Sequence, residues 1–147
     1  MKVFLCGSKT VTSLPPRFTY LLDCCCRNRC DFLIGDCFGA DRLMQEYLFE
    51  HEYMRVTVYV SGQRIRNRIG NYPVRHIPIP DGMTGFEFYR QKDLAMIEDC
   101  DTALILWDGK TTMGWKDQRD FFQCVGSDEC RQAVFSDSIG MGIMKAA

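Results

Sequence analysis

One alternation limits what this chain can fold into: a short apolar run, a break, then a stretch with helical spacing. Val3–Cys6 is the first run, Phe32–Ile34 the second, and Val56, Val58 and Val60 alternate through Arg55–Val60 as a third. Between them Phe18, Leu21, Leu22 and Cys25 recur three and four residues apart. Ala40, Leu43, Met44, Tyr47 and Leu48 do the same, with Asp41, Gln45, Glu46 and Glu50 facing away. Short apolar runs read as buried strands, and i, i+3, i+4 recurrence reads as an amphipathic helix. Strand, helix, strand, helix, strand points to parallel strands joined by right-handed crossovers, with helices packed on the sheet. Ser13 is placed to cap the first helix, with Pro15 and Pro16 in its first turn, where a missing N–H costs nothing.

From Ser61 to Gly85 the periodicity dissolves. Glycines and prolines (Gly62, Gly70, Pro73, Pro78, Pro80, Gly82, Gly85) interrupt it, and only Val74–Ile79 reads as a short edge strand. Connections this long are uncommon in compact domains unless functional. The segment carries Arg64, Arg66, Arg68 and Arg75, so residues 61–85 are expected to form a long loop or lid. Phe86–Cys100 then reads as a helix. Thr102–Trp107 reads as a strand whose unbroken apolar run (Ala103 to Leu106) fits coverage on both faces. A helix around Trp115–Cys124, a weak strand around Gln132–Phe135 and a loosely held tail over 136–147 complete the expectation. With 147 residues, no internal repeat and no linker, one domain is expected. The fold class is α/β: a Rossmann-like, doubly wound, mostly parallel sheet in three layers.

Composition narrows the partners. Hydrophobic residues at 46% and charged residues at 25% exclude disordered and low-complexity classes. No apolar run approaches the roughly 20 residues of a membrane helix, and no basic-then-apolar leader precedes the first strand, so a cytoplasmic protein without membrane contact is expected. A formal charge of −1 makes nucleic acid an unlikely partner, because binding along its phosphates usually takes a positive excess. A bound anion should be small and locally held. The nine cysteines are odd in number and show no C-x-x-C spacing, so in a reducing compartment they read as buried free thiols. A metal held by Cys26, Cys30 and Cys37 is the alternative, with no histidine nearby to support it. Neither a metal nor a cofactor is expected.

Three apolar runs end alike. Cys6 gives way to Gly7-Ser8-Lys9-Thr10, Ile34 to Gly35-Asp36-Cys37-Phe38-Gly39-Ala40-Asp41-Arg42, and Trp107 to Asp108-Gly109-Lys110-Thr111-Thr112. In a parallel sheet these ends share one edge, where open α/β sheets bind ligands. Glycines there admit close backbone approach, and the following helix N-termini favour phosphate. Ser8, Thr10, Thr111 and Thr112 offer hydroxyls, and Lys9, Arg42 and Lys110 offer cations. No P-loop and no G-x-G-x-x-G fingerprint is present, which argues against ordinary NTPase or nicotinamide chemistry. Asp36 either stabilises its turn or accepts hydrogen bonds from ribose hydroxyls or a base, and Asp41 sits in a first helical turn. Asp93 interrupts the apolar stripe Phe86, Tyr89, Ile97, Cys100, so it pairs with a loop arginine or touches ligand. Asp108 is either a turn-forming Asp-Gly or a catalytic carboxylate. His51 and His76 take no role.

These loops resemble those of the SLOG superfamily, Rossmann-like domains related to the LOG and DprA proteins that bind nucleotides or nucleotide-derived ligands. The resemblance covers roughly residues 1–114. It rests on Gly7-Ser8-Lys9, Gly35-Asp36-x-x-Gly39-Ala40-Asp41-Arg42, Gly62-x-Arg64-x-Arg66-Asn67, Lys92-Asp93, Cys100-Asp101 and Trp107-Asp108-Gly109-Lys110. It implies that Gly7, Ser8, Gly39, Ala40, Asp41 and Arg42 line the phosphate or ribose end of the ligand, with the Trp107–Thr112 loop closing the other side. A homo-oligomer is implied by the resemblance alone. LOG-type enzymes carry Pro-Gly-Gly-x-Gly-Thr-x-x-Glu where this chain has Lys110-Thr111-Thr112-Met113-Gly114-Trp115, so the acid that assists glycosidic cleavage is missing. Cys100-Asp101 and Asp108-Gly109 also resemble nucleoside 2-deoxyribosyltransferases, whose carboxylate attacks the sugar. The expectation is a nucleotide-binding or sensing module, with Arg64 from the lid and Asp93 joining the site. The alternative is an N-glycosidase or deoxyribosyltransferase acting through Asp108, and a third reading is an interaction protein with a vestigial pocket. Whether the chain is an enzyme stays open at this point.

Overall fold

The computed structural model describes residues 1–107, 133–136 and 139–145. Five strands, β1 (Lys2–Gly7), β2 (Asp31–Gly35), β3 (Val56–Ser61), β4 (Val74–Ile77) and β5 (Thr102–Trp107), lie parallel in the order β4-β3-β2-β1-β5. Helices α1 (Pro16–Arg27), α2 (Ala40–Glu50) and α3 (Gly85–Asp99) link them. The fold is a Rossmann-like α/β arrangement in three layers. Strand alternation makes this visible in β1. Val3 and Leu5 pack with Phe18 and Leu22 of α1 and with Met44 and Leu48 of α2, while Phe4 and Cys6 pack with Met96 and Ile97 of α3 on the opposite face. Because α1 leads from β1 to β2 and α3 delivers β5 to the other side of β1, the winding direction reverses between β1 and β5. That reversal point is where such sheets open a crevice at their carboxyl ends.

Beyond β5 the sheet changes character. β7 (Ile139–Lys145) pairs antiparallel with β5, and β6 (Ala133–Ser136) pairs antiparallel with β7. Over 139–145, β7 pairs the outer side of β5, which would otherwise be an edge with unpaired backbone groups. The expected helix around Trp115–Cys124 lies outside the described residues.

Ser13 does not cap α1. Pro15 is the N-cap, extended at φ −66° and ψ 150°, and no side chain caps the helix. A residue that precedes proline is pushed out of the helical region, so with Pro16 next in line the helix cannot start earlier. The ends of α1 and α2 share one device. Arg29 N–H donates to Cys26 O and Cys30 N–H to Cys25 O, while Glu52 N–H donates to Phe49 O and Tyr53 N–H to Leu48 O. Both are Schellman closures, with the left-handed position filled by Arg29 (φ 55°) and Glu52 (φ 56°) rather than glycine. Arg29→Gly and Glu52→Gly are each expected to raise the unfolding free energy by about 0.5–1 kcal/mol, read as a higher midpoint in chemical denaturation.

The connection from β3 to β4 contains no helix. It is a fixed strap: Ile69 N–H donates to Gln45 Oε1 (2.9 Å), Gln45 Nε2 donates to Gly35 O (2.9 Å), and the buried Tyr72 donates to Tyr53 O (2.8 Å). Edge strand β4 is held by Arg75, whose Nη1 donates to Asp99 Oδ2 and to Tyr59 Oη, while Tyr59 Oη donates to the same Asp99 (2.7 Å). Among the described residues, no helix is long and apolar enough to cross a membrane. Cys6, Cys30 and Cys100 are buried and free, and Cys24, Cys25, Cys26 and Cys37 are half-buried and free. Burial pushes the Cys25 thiol up to about 12 and that of Cys26 to about 11, so both stay protonated and poorly nucleophilic.

Candidate functional site

The carboxyl ends of β1, β2 and β3 bring their following turns together. Ser8 N–H donates to Leu106 O of the neighbouring β5 (3.0 Å), which fixes the turn after β1 against the end of that strand. Ser8 O then accepts from Ala40 N–H (3.2 Å), the first residue of α2. Gly39, the N-cap, has φ 77° and ψ −125°, and a Cβ there would overlap the Lys9 backbone. Only glycine allows the two turns this contact. The first two of the three loops therefore converge as expected. Gly7 ends β1 opposite Leu106, Ala40 is buried, and Lys9 is exposed.

Two features of this turn pair bear on ligand chemistry. Among the described residues no side chain caps α2, whose first N–H, that of Ala40, goes to the Ser8 carbonyl. Ser8 is only 3% exposed, and among the described residues its hydroxyl oxygen has no hydrogen-bond partner. A buried hydroxyl left unsatisfied costs about 1–3 kcal/mol, so native structures seldom keep one without cause.

Beside the turns lies an ionic cluster. Asp36, directly after β2 and 1% exposed, accepts Arg66 N–H on Oδ2 (2.9 Å) and the Arg66 guanidinium on Oδ1 (2.8 Å from Nη2, 3.2 Å from Nε). Its carboxylate is thus occupied by the strap. Arg66 also lies 4.0 Å over the ring of Tyr89 on α3. Burial alone would lower the Arg66 guanidinium, but hydrogen bonding and charge from Asp36 outweigh it and hold it above its usual value. Ser61, the last residue of β3, reaches into α3: its hydroxyl donates to Tyr89 O (3.3 Å) and accepts from Lys92 N–H (3.1 Å).

Lys92 is the buried cation of the site, 4% exposed, with Nζ donating to Asp93 Oδ1 (2.6 Å). Desolvation works against its charge, yet Asp93 and Asp41 together hold it above the usual lysine value. Asp41, 7% exposed in the first turn of α2, accepts Cys37 N–H (3.2 Å). Burial pushes its carboxyl up to about 7 against the opposing pull of Lys92, with Asp93 adding to the rise. A Cβ on Gly35 would lie 2.6 Å from Asp41 Oδ2 and 2.9 Å from Lys92 Nζ, so both charged ends meet above a bare backbone. Cys6 beneath them and Cys37 beside them are raised first by burial and then by Asp41, which keeps both thiols protonated.

The placement of the remaining candidates differs from the sequence reading. Asp93 pairs with Lys92, not with a loop arginine, because the arginine that enters the site is committed to Asp36. Arg42 is exposed and bonds Glu46 along its own helix (2.9 Å), and Arg64 is exposed. Asp108, Gly109, Lys110, Thr111 and Thr112 lie outside the described residues. Among those described, no group of three or more His, Cys, Asp or Glu is arranged to hold a metal ion. Arg66, Lys92, Ser61 and Tyr89 belong to the site and were not among its expected members. Their one signal was that Arg66 and Lys92 stand in the quoted motifs.

No family model, curated protein or solved structure matches this chain.

Proposed function

We propose that the chain binds a nucleotide or nucleotide-derived small molecule at the carboxyl edge of its parallel sheet, as a binding or sensing module of the SLOG kind. The observation that carries this reading is the buried Ser8 hydroxyl, unpartnered among the described residues, beside the N-terminus of α2, which has no side-chain cap, at the point where the winding reverses. A phosphate oxygen there would satisfy the hydroxyl and meet the positive end of the helix. Lys9 stands exposed next to it. Asp36 serves this reading as the clamp on Arg66, in place of the ribose contact that it could also have made. The alternative reading, an N-glycosidase or deoxyribosyltransferase, depends on Asp108.

Ser8→Ala separates a ligand role from a structural one. Titration calorimetry with adenosine 5′-monophosphate, ADP-ribose and cyclic nucleotides is expected to give heat with at least one of them. Ser8→Ala is expected to weaken that ligand roughly 10-fold or more, the worth of one hydrogen bond to a charged group. The same variant is expected to be as stable as the parent or about 1 kcal/mol more so, because it removes an unpaired buried oxygen. Absence of heat across the panel, or a Ser8→Ala variant that loses stability and keeps affinity, contradicts the reading.

A further inference from the structure

Arg66 is held as few surface arginines are. Three N–H groups, one of them its own backbone, engage Asp36, and the guanidinium carbon lies over the Tyr89 ring, 4.0 Å from its centroid. The Tyr89 backbone is tied to β3, its carbonyl accepting from Ser61 (3.3 Å), and its ring packs edge-on against Phe88. The pair is nonetheless open: 21% of the Arg66 side chain and 40% of Tyr89 remain exposed. A guanidinium whose charge is already met by a buried carboxylate is a poor anion receptor. A rigid, flat, weakly hydrated one beside an aromatic ring is a good stacking surface.

Its position fits one kind of occupant. Extending the strand registers places Ser8, Cys37 and Ser61 in a row across the ends of β1, β2 and β3. The Arg66–Tyr89 pair stands across the β2 and β3 ends of this row, with Arg66 on Asp36 and the Tyr89 carbonyl on Ser61, and the Ser8 hydroxyl stands at the β1 end. One to two strand spacings separate these ends, about 5–10 Å, within the reach of a nucleoside monophosphate from phosphate to base.

We propose that the Arg66–Tyr89 pair, with Arg66 held by Asp36 and the Tyr89 backbone tied to Ser61, is the stacking platform for a planar base, so the site takes nucleotides in preference to simple sugar phosphates. This rests on the nucleotide-binding reading above and adds a base-recognition end to it. Phosphate contact at Ser8 and base contact at Arg66–Tyr89 are then separable.

Calorimetry of the whole chain with adenosine 5′-monophosphate and with ribose 5-phosphate tests it. The nucleotide is expected to bind roughly 5- to 150-fold more tightly, the range that stacking of one base supplies. Tyr89→Ala should bring the two ligands to within about 2-fold of each other, chiefly by weakening the nucleotide, and Tyr89→Phe should keep the parent preference. Arg66→Lys preserves the charge facing Asp36 but not the plane, so it too should reduce the preference; it is the second variant if Tyr89→Ala melts early. Equal binding of the two ligands by the parent overturns the platform and leaves the phosphate reading standing, as does a preference unchanged in both Tyr89→Ala and Arg66→Lys. Binding of neither ligand overturns both.

Discussion

Lys92→Met is expected to lower the unfolding free energy by about 3–5 kcal/mol near pH 8, the cost of removing one partner from a buried ionic cluster. Methionine keeps most of the apolar stem, so the loss reports charge rather than a cavity. Lys92 is the cation that faces both Asp93 and Asp41, and without it two carboxylates meet in a desolvated space. The pH dependence identifies the cause. In the parent, the Asp41 carboxyl is raised from 3.8 to about 7 by burial, so its folded form holds a proton that the unfolded form has released. Its contribution to stability is complete below about 3.8 and is lost as pH rises through about 7. Removing Lys92 takes away the opposing pull and moves the Asp41 carboxyl further up. The deficit of Lys92→Met should therefore be largest above pH 8 and shrink toward pH 5, as measured by denaturant melts across that range. A deficit that is constant with pH would show that Lys92 supports the fold by packing alone.

Gly39→Ala is expected to be the most damaging single-methyl change in the described chain. Its backbone at φ 77° and ψ −125° lies where L-residues are strained by about 1–3 kcal/mol. The added Cβ would also overlap Lys9 backbone atoms, which cannot rotate away as a side chain can. Together these should cost more than about 3 kcal/mol, among the larger values seen for point substitutions. Because relief requires the two turns to separate, ligand affinity should fall with stability, unlike the Ser8→Ala result. A Gly39→Ala variant within 1 kcal/mol of the parent would mean that the turns can part cheaply, and the close contact between them would lose its significance.

How much of this was legible follows from which interactions are local. The buried strands announced themselves through Val3–Cys6, Phe32–Ile34 and Ala103–Leu106, because a parallel strand covered on both faces has no polar side to confuse the pattern. Gly39 and Ser8 were singled out as turn residues at strand ends for reasons that operate within a few residues of chain. α3 was harder. Its apolar stripe placed Ile97 and Cys100 inward correctly but also Tyr89, which is 40% exposed, and it passed over the buried Lys92 and Met96. Periodicity cannot register a lysine that is buried because carboxylates from β2–α2 and from its own neighbour receive it. Nor can it register Arg66 meeting Asp36 thirty residues away, or the Ser61 hydroxyl entering α3. Those contacts exist only once the sheet has ordered the loops, and they make up most of the site's electrostatics.

The most direct test of the central claim is amide chemical-shift mapping by NMR while adenosine 5′-monophosphate is added to the labelled protein. Saturable shifts at Gly7–Thr10 and Gly39–Arg42 are predicted, with smaller ones at Arg66 and Tyr89. Amides at those positions that stay unmoved at millimolar nucleotide, or shifts gathered instead along edge strand β4, would contradict it.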